Sequence, residues 1–484
     1  MKNLSSFMPE MHSDMHINGL SYDSRNIEEG WAFFAFLPIS GGKAGDEFIE
    51  DALKRGASVI ICRASDSSKA LQSRYPDALF ITNDNPQAEY SRWCSILHDQ
   101  PQKDLQIIGV SGTDGKTSTC DFLYQILCTE GLHPGLLSTV SMDDGSGKRP
   151  SPYRQSTPEA EHIFQFLSDC KSNGLKTVIM EATSHSLSHV TSRLSQITFS
   201  GAIYTTISSE HLEFHHTMEN YIQCKLNLAR QTDSNGFVIY PKGSLHESAI
   251  HDSFKGLDIS SYSTDCYSIA SRKLDETIFN EDCTSIAFCY GEDVFLQNAR
   301  AALVASEKIL HRPLSAAVLS TLKPVEGRME VLRTPNGIFI IDFAHTADAY
   351  MRLMTFIAKR CPDHSITAVF SSGGNRDRNK RSKMGRIAAQ FCKTMILTSE
   401  DPRDEGFEHI TADLLSDTAA FSPVIYRIPD RQLAISKAVS LSTPYTVTLL
   451  LGKGHEHTIE YEKGSAISWN EKEVLLKALK EARL

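Results

Sequence analysis

The chain has 484 residues, of which 41% are hydrophobic and 22% are charged. This length exceeds what one hydrophobic core normally supports, so several domains are expected, and the ordinary composition excludes a disordered, collagenous or coiled-coil chain. The formal net charge of -10 argues against a polynucleotide partner, because a nucleic-acid-binding surface is normally rich in lysine and arginine.

Cysteine usage and hydropathy narrow the class of protein further. Eleven cysteines are scattered without C-x-x-C pairs, which in a long chain favours reduced thiols over a disulfide framework. The first residues lack the continuous apolar segment of a signal peptide, and no stretch approaches the roughly 18 apolar residues that a membrane-spanning helix needs. We therefore expect a cytoplasmic protein with no membrane partner.

Residues 1–100 predict a small N-terminal α/β domain. The strand-like runs "WAFFAF" and "SVIIC" flank the amphipathic segment "DEFIEDALKRG", which begins with acidic residues and ends at Gly56. The polar segment "ILHDQPQKDLQ" contains a proline and precedes a strongly apolar stretch. We therefore place the first domain boundary near residue 101.

The remainder of the chain predicts two larger α/β domains. In residues 101–330 the apolar runs "LQIIGV", "TVIME", "GAIYTTI" and "GFVIY" alternate with helical patterns, which is typical of a mainly parallel sheet covered by helices. A β-rich insert from "CYSIASRKL" to "TSIAFCYGEDVFL" precedes the helical "NARAALVASEKIL". Residues 331–484 repeat the alternation with "IFIIDF", "SITAVFSS", "TMILTSE", "VIYRIP" and "YTVTLLLG", which predicts a Rossmann-like C-terminal domain.

The segment "GVSGTDGKTSTC" follows the strand "LQIIGV" and opens a helix. Gly112 and Gly115 let backbone N–H groups turn toward an anion, and Lys116 adds a positive charge. The helix that starts at Thr117 attracts phosphate, and the threonine hydroxyl can bind Mg²⁺. The spacing predicts a nucleotide phosphate loop, although a tight turn with a surface lysine is an alternative for so short a motif. A kinase, a switch GTPase and a ligase can all begin with such a loop.

Polar residues follow two further predicted strands. Glu181 ends the strand "TVIME", and Ser184 lies in the loop after it. His211 follows the strand "GAIYTTI", and Lys225 lies on a helix capped by Thr217. Taken singly, each side chain is more often solvated or packed than functional. Together, at the carboxyl ends of parallel strands, they predict a magnesium site beside the bound phosphates.

In their order along the chain, these segments resemble the Mur ligases of peptidoglycan synthesis, and within them the branch that adds a diamino acid as the third residue. The resemblance covers nearly the whole chain and implies a uridine-binding domain, an ATPase domain and an amino-acid-binding domain. It implies that ATP phosphorylates the carboxylate of UDP-N-acetylmuramoyl-L-Ala-D-Glu, and that the amine of the diamino acid attacks the acyl phosphate. ATP and Mg²⁺ are the implied cofactors, and the expected enzyme is a monomer.

The resemblance also implies roles for individual residues. The implied ATP contacts are Gly112, Thr113, Asp114, Gly115, Lys116, Thr117, Ser118, Asn298, Arg328, Asp342 and His345. The implied metal ligands are Thr117, Glu181, His211 and Lys225. Lys225 would be carbamylated to N6-carboxylysine, because an ammonium repels Mg²⁺ whereas a carbamate offers hard oxygens. The implied catalytic residues are Lys116, Lys225, His211 and Glu181.

Two further sets of residues are implied to bind the substrates. Those for the nucleotide-sugar dipeptide are Ser24 in "SYDSRNI", Ser156 and Thr157 in "STPE", Ser184 and Arg193. Those for the amino acid are Arg376, Asp401, Arg403, Gly452 and Glu456. A bidentate contact from arginine to a carboxylate is the expected geometry for the α-carboxylate of the amino acid.

Two departures from the family pattern bear on function. Asp114 replaces an asparagine of the phosphate loop, and its charge requires compensation from Lys116 or magnesium. The segment "TSEDPRDE" has Asp401 in place of an asparagine, beside Glu400. Two carboxylates favour a distal ammonium, as in L-lysine or L-ornithine, whereas Arg403 favours the distal carboxylate of meso-diaminopimelate, which is the alternative substrate.

Three other functions are less favoured. A folylpolyglutamate synthase lacks an N-terminal uridine-binding unit, whereas "YDSR" precedes the phosphate loop here. A Mur ligase that adds D-Ala-D-Ala would not carry the diamino-acid segment around Arg403. An inactive nucleotide-sensing protein would not be expected to retain Lys116, Glu181, His211 and Lys225.

Overall fold

The computed structural model describes residues 2–11, 13–38, 43–208, 210–256, 258–282 and 284–482. They form two compact units. The first runs up to Tyr262 and includes Val304–Leu310, and the second comprises Ser263–Leu303 and His311–Leu484. The predicted α/β class is confirmed, while the division into three domains at residues 100 and 330 stays a prediction.

The first unit opens with a four-stranded parallel sheet. Its strands, in spatial order, are Leu20–Ser21, Ala32–Phe34, Val59–Cys62 and Leu79–Thr82. Val59 and Ile61 pack into one core, and Ile60 and Cys62 pack into another, because successive side chains of a strand point to opposite faces. Burial on both faces explains why this strand is a continuous apolar run.

Short elements surround this sheet. A two-stranded ladder joins Lys2–Asn3 to His16–Ile17. The helices are Leu4–Phe7, Ile49–Lys54, Asp66–Arg74 and Pro86–Leu97, with 3-10 turns at Ser24–Asn26, Gly45–Phe48 and Pro101–Lys103. The helix Pro86–Leu97 begins with a side-chain cap from Asn85 and a proline in its first turn.

The larger sheet of the first unit has eight strands. In spatial order they are Arg149–Pro150, Ser141–Asp143, Gly135–Leu137, Thr177–Glu181, Gln106–Ser111, Phe199–Tyr204, Thr232–Pro241 and Asp258–Tyr262. The last six run parallel, and the first two extend the sheet with antiparallel pairing. Parallel pairing brings the carboxyl ends of the central strands Thr177–Glu181, Gln106–Ser111 and Phe199–Tyr204 to one edge of the sheet. Open α/β sheets bind ligands at that edge.

The helices of the larger sheet connect its strands. They are Lys116–Thr129, Ala160–Ser172, Leu212–His215, Met218–Arg230 and Glu247–Ser253. Side-chain contacts tie them to the N-terminal segment. Tyr90 hydrogen bonds to the carboxylate of Glu161, and Ser91 Oγ donates to the carbonyl of Arg193 at 3.2 Å. These contacts explain why both sheets belong to one compact unit.

The second unit contains a three-stranded antiparallel sheet and a six-stranded sheet. The smaller sheet comprises Ser268–Arg272, Thr277–Glu281 and Thr284–Phe288. The larger one, in spatial order, comprises Glu330–Thr334, Gly337–Asp342, Thr446–Leu451, Ser365–Phe370, Thr394–Leu397 and Val424–Arg427. Its last five strands are parallel, and they are the five strands predicted for the Rossmann-like domain.

The remaining elements are mainly helical. They are the helices Asp293–Leu310, Ala347–Arg360, Asn379–Phe391, Phe407–Leu415, Arg431–Leu441 and Glu471–Glu481, the 3-10 turns Ala316–Thr321 and Glu462–Gly464, and the hairpin Thr458–Glu460 with Ala466–Ser468. None of the helices in the described ranges is long and apolar enough to cross a membrane. The cysteines that the structure describes are free, and Cys283 lies outside the described residues.

A fully buried ion pair supports the loops at one edge of the six-stranded sheet. Arg431 Nη2 lies 2.5 Å from Glu471 Oε1, and both side chains are inaccessible to solvent. The Arg431 guanidinium also donates to the carbonyl oxygens of Leu451, at 2.9 Å, and Ser399, at 3.4 Å. Trp469 Nε1 donates to Glu471 Oε2 at 2.7 Å, which satisfies the second carboxylate oxygen.

Removing one member of this pair should destabilise the second unit. We expect Glu471→Ala to lower the free energy of unfolding by about 3–5 kcal/mol, because an unpaired guanidinium would remain buried. The double variant Arg431→Met/Glu471→Leu should recover most of that loss. Urea denaturation measures both, with Lys472→Ala as the control, since the Lys472 side chain is 54% exposed. A loss below about 1 kcal/mol for Glu471→Ala would contradict the assignment.

Candidate functional site

The predicted phosphate loop joins a buried strand to a helix. The strand Gln106–Ser111 ends before Gly112, and the helix Lys116–Thr129 begins after Gly115. Gly115 has a φ of 88°, a left-handed conformation that favours glycine. The turn therefore places the start of the helix at the loop, where the N–H groups of a first helical turn can bind an anion.

A close contact with the segment that follows the strand Phe199–Tyr204 requires glycine at position 112. A Cβ atom at this position would lie 1.8 Å from Thr205 Oγ1. That hydroxyl donates to the carbonyl of Asp114 at 2.6 Å. Thr205 therefore fixes the shape of the loop, and only glycine leaves room for it.

Two lysines converge on this loop. Lys116 Nζ donates to the carbonyl oxygens of Gly112, at 3.0 Å, and Thr113, at 2.7 Å. Lys225 Nζ donates to the same Gly112 carbonyl at 2.6 Å and lies 4.5 Å from the centroid of the Tyr221 ring. Burial, and then the charge of Lys116, lowers the pKa of Lys225 well below its usual range. The loop thus concentrates positive charge where an anion would bind.

Glu181 lies beside the loop, at the end of its buried strand. Its Oε1 accepts hydrogen bonds from Thr117 Oγ1 at 2.9 Å and from the N–H and hydroxyl of Thr139, each at 2.8 Å. Its Oε2 is buried and has no hydrogen-bond partner among the described residues. An unsatisfied buried carboxylate oxygen is costly and is the kind of hard ligand that Mg²⁺ prefers.

His211 is placed differently from the other predicted metal ligands. It adopts a φ of 57° just before the helix Leu212–His215. Its ring lies edge-on to that of His185, with centroids 4.7 Å apart, and its nearest carboxylate oxygens belong to Glu210 and Glu213, each at 3.5 Å. Within the described residues, no group of three or more His, Cys, Asp or Glu side chains is arranged to hold a metal ion by itself.

Three of the residues predicted to bind the nucleotide-sugar dipeptide lie close to Glu181. Thr157 Oγ1 donates to the Glu181 carbonyl at 2.9 Å, and Ser156 Oγ lies 2.7 Å from the hydroxyl oxygen of Thr139. Arg193 Nη1 donates to the Thr157 carbonyl at 3.1 Å. The structure therefore brings three of the predicted residues to the same sheet edge as the phosphate loop.

Two histidines that sequence reasoning did not assign complete this region. His215 Nε2 lies 3.0 Å from Ser184 Oγ, so it orients a residue predicted to contact substrate. Burial, and then His211, lowers the pKa of His215 to about 4. Burial also lowers the pKa of His185 to about 3, with His211 the next contributor. The repeated histidines of "SHSLSH" and "HLEFHH" were the available signal.

Ser24 lies in the four-stranded part of the first unit. It is buried in a 3-10 turn that Asp23 caps by accepting from the N–H of Arg25. The adjacent Tyr22 stacks on Phe36, with ring centroids 4.7 Å apart. Burial, followed by the charge of a nearby carboxylate on Glu159, raises the pKa of Tyr22 to about 12.

In the second unit, Asp342 and His345, two of the predicted ATP residues, lie at the end of the strand Gly337–Asp342. Asp342 accepts hydrogen bonds from the N–H groups of Met329, at 2.7 Å, and Ala344, at 2.8 Å, and burial raises its pKa. The Arg328 guanidinium lies 4.4 Å from the centroid of the Phe343 ring. His345 Nδ1 lies 2.9 Å from the Phe343 carbonyl. Asn298 is buried on the helix Asp293–Leu310.

The predicted amino-acid residues also belong to the second unit. Arg403 donates to Glu460 Oε2 and to the Gly374 carbonyl, each at 2.8 Å. Asp401 Oδ1 accepts from Lys453, a residue that sequence reasoning did not assign. Lys453 also pairs with Glu456. These two carboxylates are therefore already bound by the protein itself.

The remaining residues of this group differ in exposure. Arg376 is exposed, as a residue that clasps a ligand's carboxylate can be. A Cβ atom on Gly452 would lie 2.3 Å from Glu400 Oε2, so this glycine permits the close approach of a carboxylate. That oxygen is buried and has no hydrogen-bond partner among the described residues. The binding roles assigned from the sequence stay predictions.

Comparisons with known families decide the identity of the fold. The Mur ligase middle domain family matches residues 110–302, and the Mur ligase, glutamate ligase domain family matches residues 327–454. The chain belongs to the Mur ligase family. The predicted resemblance is thereby confirmed.

Individual Mur ligases are similar over nearly their full length. The UDP-N-acetylmuramyl-tripeptide synthetase of Borrelia garinii is 35% identical, with 96% of this chain and 93% of that protein covered. The UDP-N-acetylmuramoyl-L-alanyl-D-glutamate–2,6-diaminopimelate ligase of Chlorobium phaeobacteroides is 30% identical, with 97% and 93% covered. A solved structure of a ligase with the latter name has a TM-score of 0.62 at 24% identity and covers 100% of this chain and 99% of its own, which supports the Mur ligase fold.

The contact between Gly112 and Thr205 makes a prediction about this Mur ligase. Gly112→Ala should lower the free energy of unfolding by about 1–3 kcal/mol, because the new Cβ overlaps the Thr205 hydroxyl. Adding Thr205→Ala should recover part of the loss, since the closest remaining atoms, the Cβ of residue 205 and the Thr206 carbonyl oxygen, each lie at 3.0 Å. Gly406→Ala is the matched control, as a Cβ there meets nothing within 4 Å. If thermal unfolding gave equal stabilities for Gly112→Ala and Gly406→Ala, the contact between Gly112 and Thr205 would be refuted.

Proposed function

We propose that the chain is an ATP-dependent amide ligase that joins a diamino acid to UDP-N-acetylmuramoyl-L-Ala-D-Glu. Membership of the Mur ligase family supports the reaction type. The names of the relatives, tripeptide synthetase and diaminopimelate ligase, support the acceptor and the class of amino acid. The basic diamino acids L-lysine and L-ornithine are our first candidates, and meso-diaminopimelate is the alternative.

The observation that carries the proposal is the junction of the phosphate loop with Glu181. Lys116 and Lys225 meet at the Gly112 carbonyl, while Glu181 Oε2 is buried without a partner among the described residues. Positive charge and an unsatisfied hard oxygen, side by side at a helix N-terminus, suit a nucleotide phosphate together with Mg²⁺.

We assign Mg²⁺ to Thr117, Glu181, His211 and Lys225, with Lys225 carbamylated. The Thr117 hydroxyl and the Glu181 carboxylate are already in contact, and a carbamate on Lys225 would replace an ammonium with oxygen ligands. The ion, when bound, neutralises charge on the phosphates. Mg²⁺ commonly takes few protein ligands and completes its shell with water and phosphate, so the small carboxylate count in this region is compatible with it.

The proposed reaction has two steps. A carboxylate oxygen of the dipeptide attacks the γ-phosphorus of ATP, and ADP leaves with the electrons of the broken P–O bond. The amine of the diamino acid then attacks the acyl carbon, and inorganic phosphate leaves with the original carboxylate oxygen. Lys116 would hold the phosphates through its charge, and Ser24, Thr157, Ser184 and Arg193 would hold the nucleotide-sugar dipeptide. Exclusion of water protects the acyl phosphate from hydrolysis.

Oxygen labelling tests this reaction directly. With ¹⁸O in the terminal carboxylate of the dipeptide, one labelled atom should appear in each phosphate released. Release should require both the nucleotide-sugar dipeptide and an amino acid, and a panel of L-lysine, L-ornithine and meso-diaminopimelate identifies the second substrate. Unlabelled phosphate, or release without the dipeptide, would rule out an acyl phosphate on that carboxylate.

Substitution of Lys225 tests the proposed metal site. Lys225→Ala should lower kcat by about 100-fold or more, because a group that stabilises transferring charge is lost. Added short carboxylates should restore part of the activity by replacing the carbamate oxygens. Lys176→Ala is the control, since Lys176 is exposed just before the strand Thr177–Glu181. Full turnover by Lys225→Ala would disprove the carbamate role.

A further inference from the structure

A lysine of the second unit joins two carboxylates that were assigned to the amino acid. Lys453 Nζ lies 2.9 Å from Asp401 Oδ1 and 2.5 Å from Glu456 Oε2. Its side chain is 1% exposed. The N–H of Glu460 also donates to Asp401 Oδ1, at 2.9 Å, so the orientation of Asp401 is fixed from two directions.

The local backbone explains how a lysine comes to occupy this position. Lys453 follows the strand Thr446–Leu451 and lies between Gly452, with a φ of 99°, and Gly454, with a φ of 48°. Both glycines adopt left-handed conformations, and together they reverse the chain at the end of the strand. The reversal directs the lysine inward, toward Asp401 of another strand connection.

The charges of this cluster do not cancel. Burial lowers the pKa of Lys453, but the charges of Glu456 and Asp401 outweigh burial and raise the pKa above its usual value. The cluster therefore holds one ammonium between two carboxylates. Arg403 links this cluster to Glu460, with Nε 2.8 Å from Glu460 Oε2 and Nη2 3.6 Å from Asp401 Oδ2. Within this group the carboxylates of Asp401, Glu456 and Glu460 outnumber the two cations by one. The charge of Glu400 also helps to raise the pKa of Glu456, so the excess charge near the predicted amino-acid site is negative.

We infer that Lys453 is a positioning and specificity-determining residue of the amino-acid site. The inference rests on the proposed function. By holding Asp401 and Glu456 with a single ammonium, Lys453 fixes both carboxylates and leaves one negative charge for the substrate. The substrate class that fits is an amino acid with a distal ammonium and no distal carboxylate. A distal carboxylate would add a second uncompensated charge, which is costly in a partly desolvated site.

The test compares ligands that differ only in distal charge. L-lysine, L-norleucine and L-2-aminoadipate are assayed with the full-length enzyme by phosphate release, using KM for substrates and competitive inhibition constants for compounds that are not turned over. Lys453→Met leaves two excess carboxylates, so the preference for L-lysine over L-2-aminoadipate should rise about tenfold or more. Asp401→Asn leaves none, so the same preference should fall by a similar factor.

Variants that keep the net charge of the cluster separate an effect on substrate preference from an effect on folding. Lys453→Arg and the double variant Lys453→Met/Asp401→Asn should both keep the preference of the unmodified enzyme within about threefold, because the excess charge is unchanged. The KM values for ATP and the nucleotide-sugar dipeptide should stay within about twofold in all variants, since a general loss of structure would raise them too. If Lys453→Met does not fold, the lowered preference of Asp401→Asn and its return to the unmodified value in the double variant decide the matter.

The outcomes distinguish this inference from the proposed function. An active unmodified enzyme whose preference is unchanged in Lys453→Met and Asp401→Asn would overturn the role of Lys453 alone. Parallel increases in all three KM values would also overturn it, because they indicate a structural role only. No phosphate release by the unmodified enzyme with any amino acid would overturn the proposed function, and the role of Lys453 with it.

Discussion

The Gly112 carbonyl accepts hydrogen bonds from Nζ of both Lys116 and Lys225, and the candidate phosphate site depends on that contact. Two like charges this close in a buried place repel each other strongly, because the effective dielectric constant is low. The charges of Glu210 and Asp114 raise the pKa of Lys225 and so offset part of this repulsion. Burial and the charge of Lys116 nevertheless hold the pKa of Lys225 well below its usual range, so an added anion would favour the charged form.

The two units satisfy their polar groups in different ways. At the phosphate loop, Glu181 keeps one buried oxygen without a partner among the described residues. In the second unit, Asp401 and Glu456 are held by Lys453, and Glu460 is held by Arg403. The first arrangement is suited to a ligand that supplies charge, such as a metal phosphate. The second is suited to discrimination between ligands, because Lys453 already orients the carboxylates of Asp401 and Glu456.

Local pattern was sufficient to predict much of this structure. Glu181 and Thr117 belong to different segments, yet their contact followed from two parallel strands ending at one sheet edge. Thr217 was correctly identified as a helix cap because its side chain and the following periodicity are local signals. The five parallel strands of the C-terminal sheet were predicted for the same reason.

Contacts set by long-range packing were not predictable in this way. Lys453 is 52 residues from Asp401, and no local rule distinguishes it from a surface lysine. The contact between His215 and Ser184 likewise depends on how a short helix lies over a loop 31 residues earlier. From their charge alone, Glu400 and Asp401 were both expected to be available to a substrate. In the fold, Asp401 instead pairs with Lys453. The missing information was the three-dimensional arrangement of the sheet edge.

The buried Arg431 links the loops that are predicted to bind the amino acid to an intrinsic fluorescent residue. Its guanidinium binds the carbonyls at the ends of two strands and the carboxylate that accepts from the indole of Trp469. The chain has three tryptophans, and the other two, Trp31 and Trp93, belong to the first unit. Intrinsic fluorescence from Trp469 can therefore report on events at those loops without any attached label, once the two N-terminal indoles have been replaced by phenylalanine.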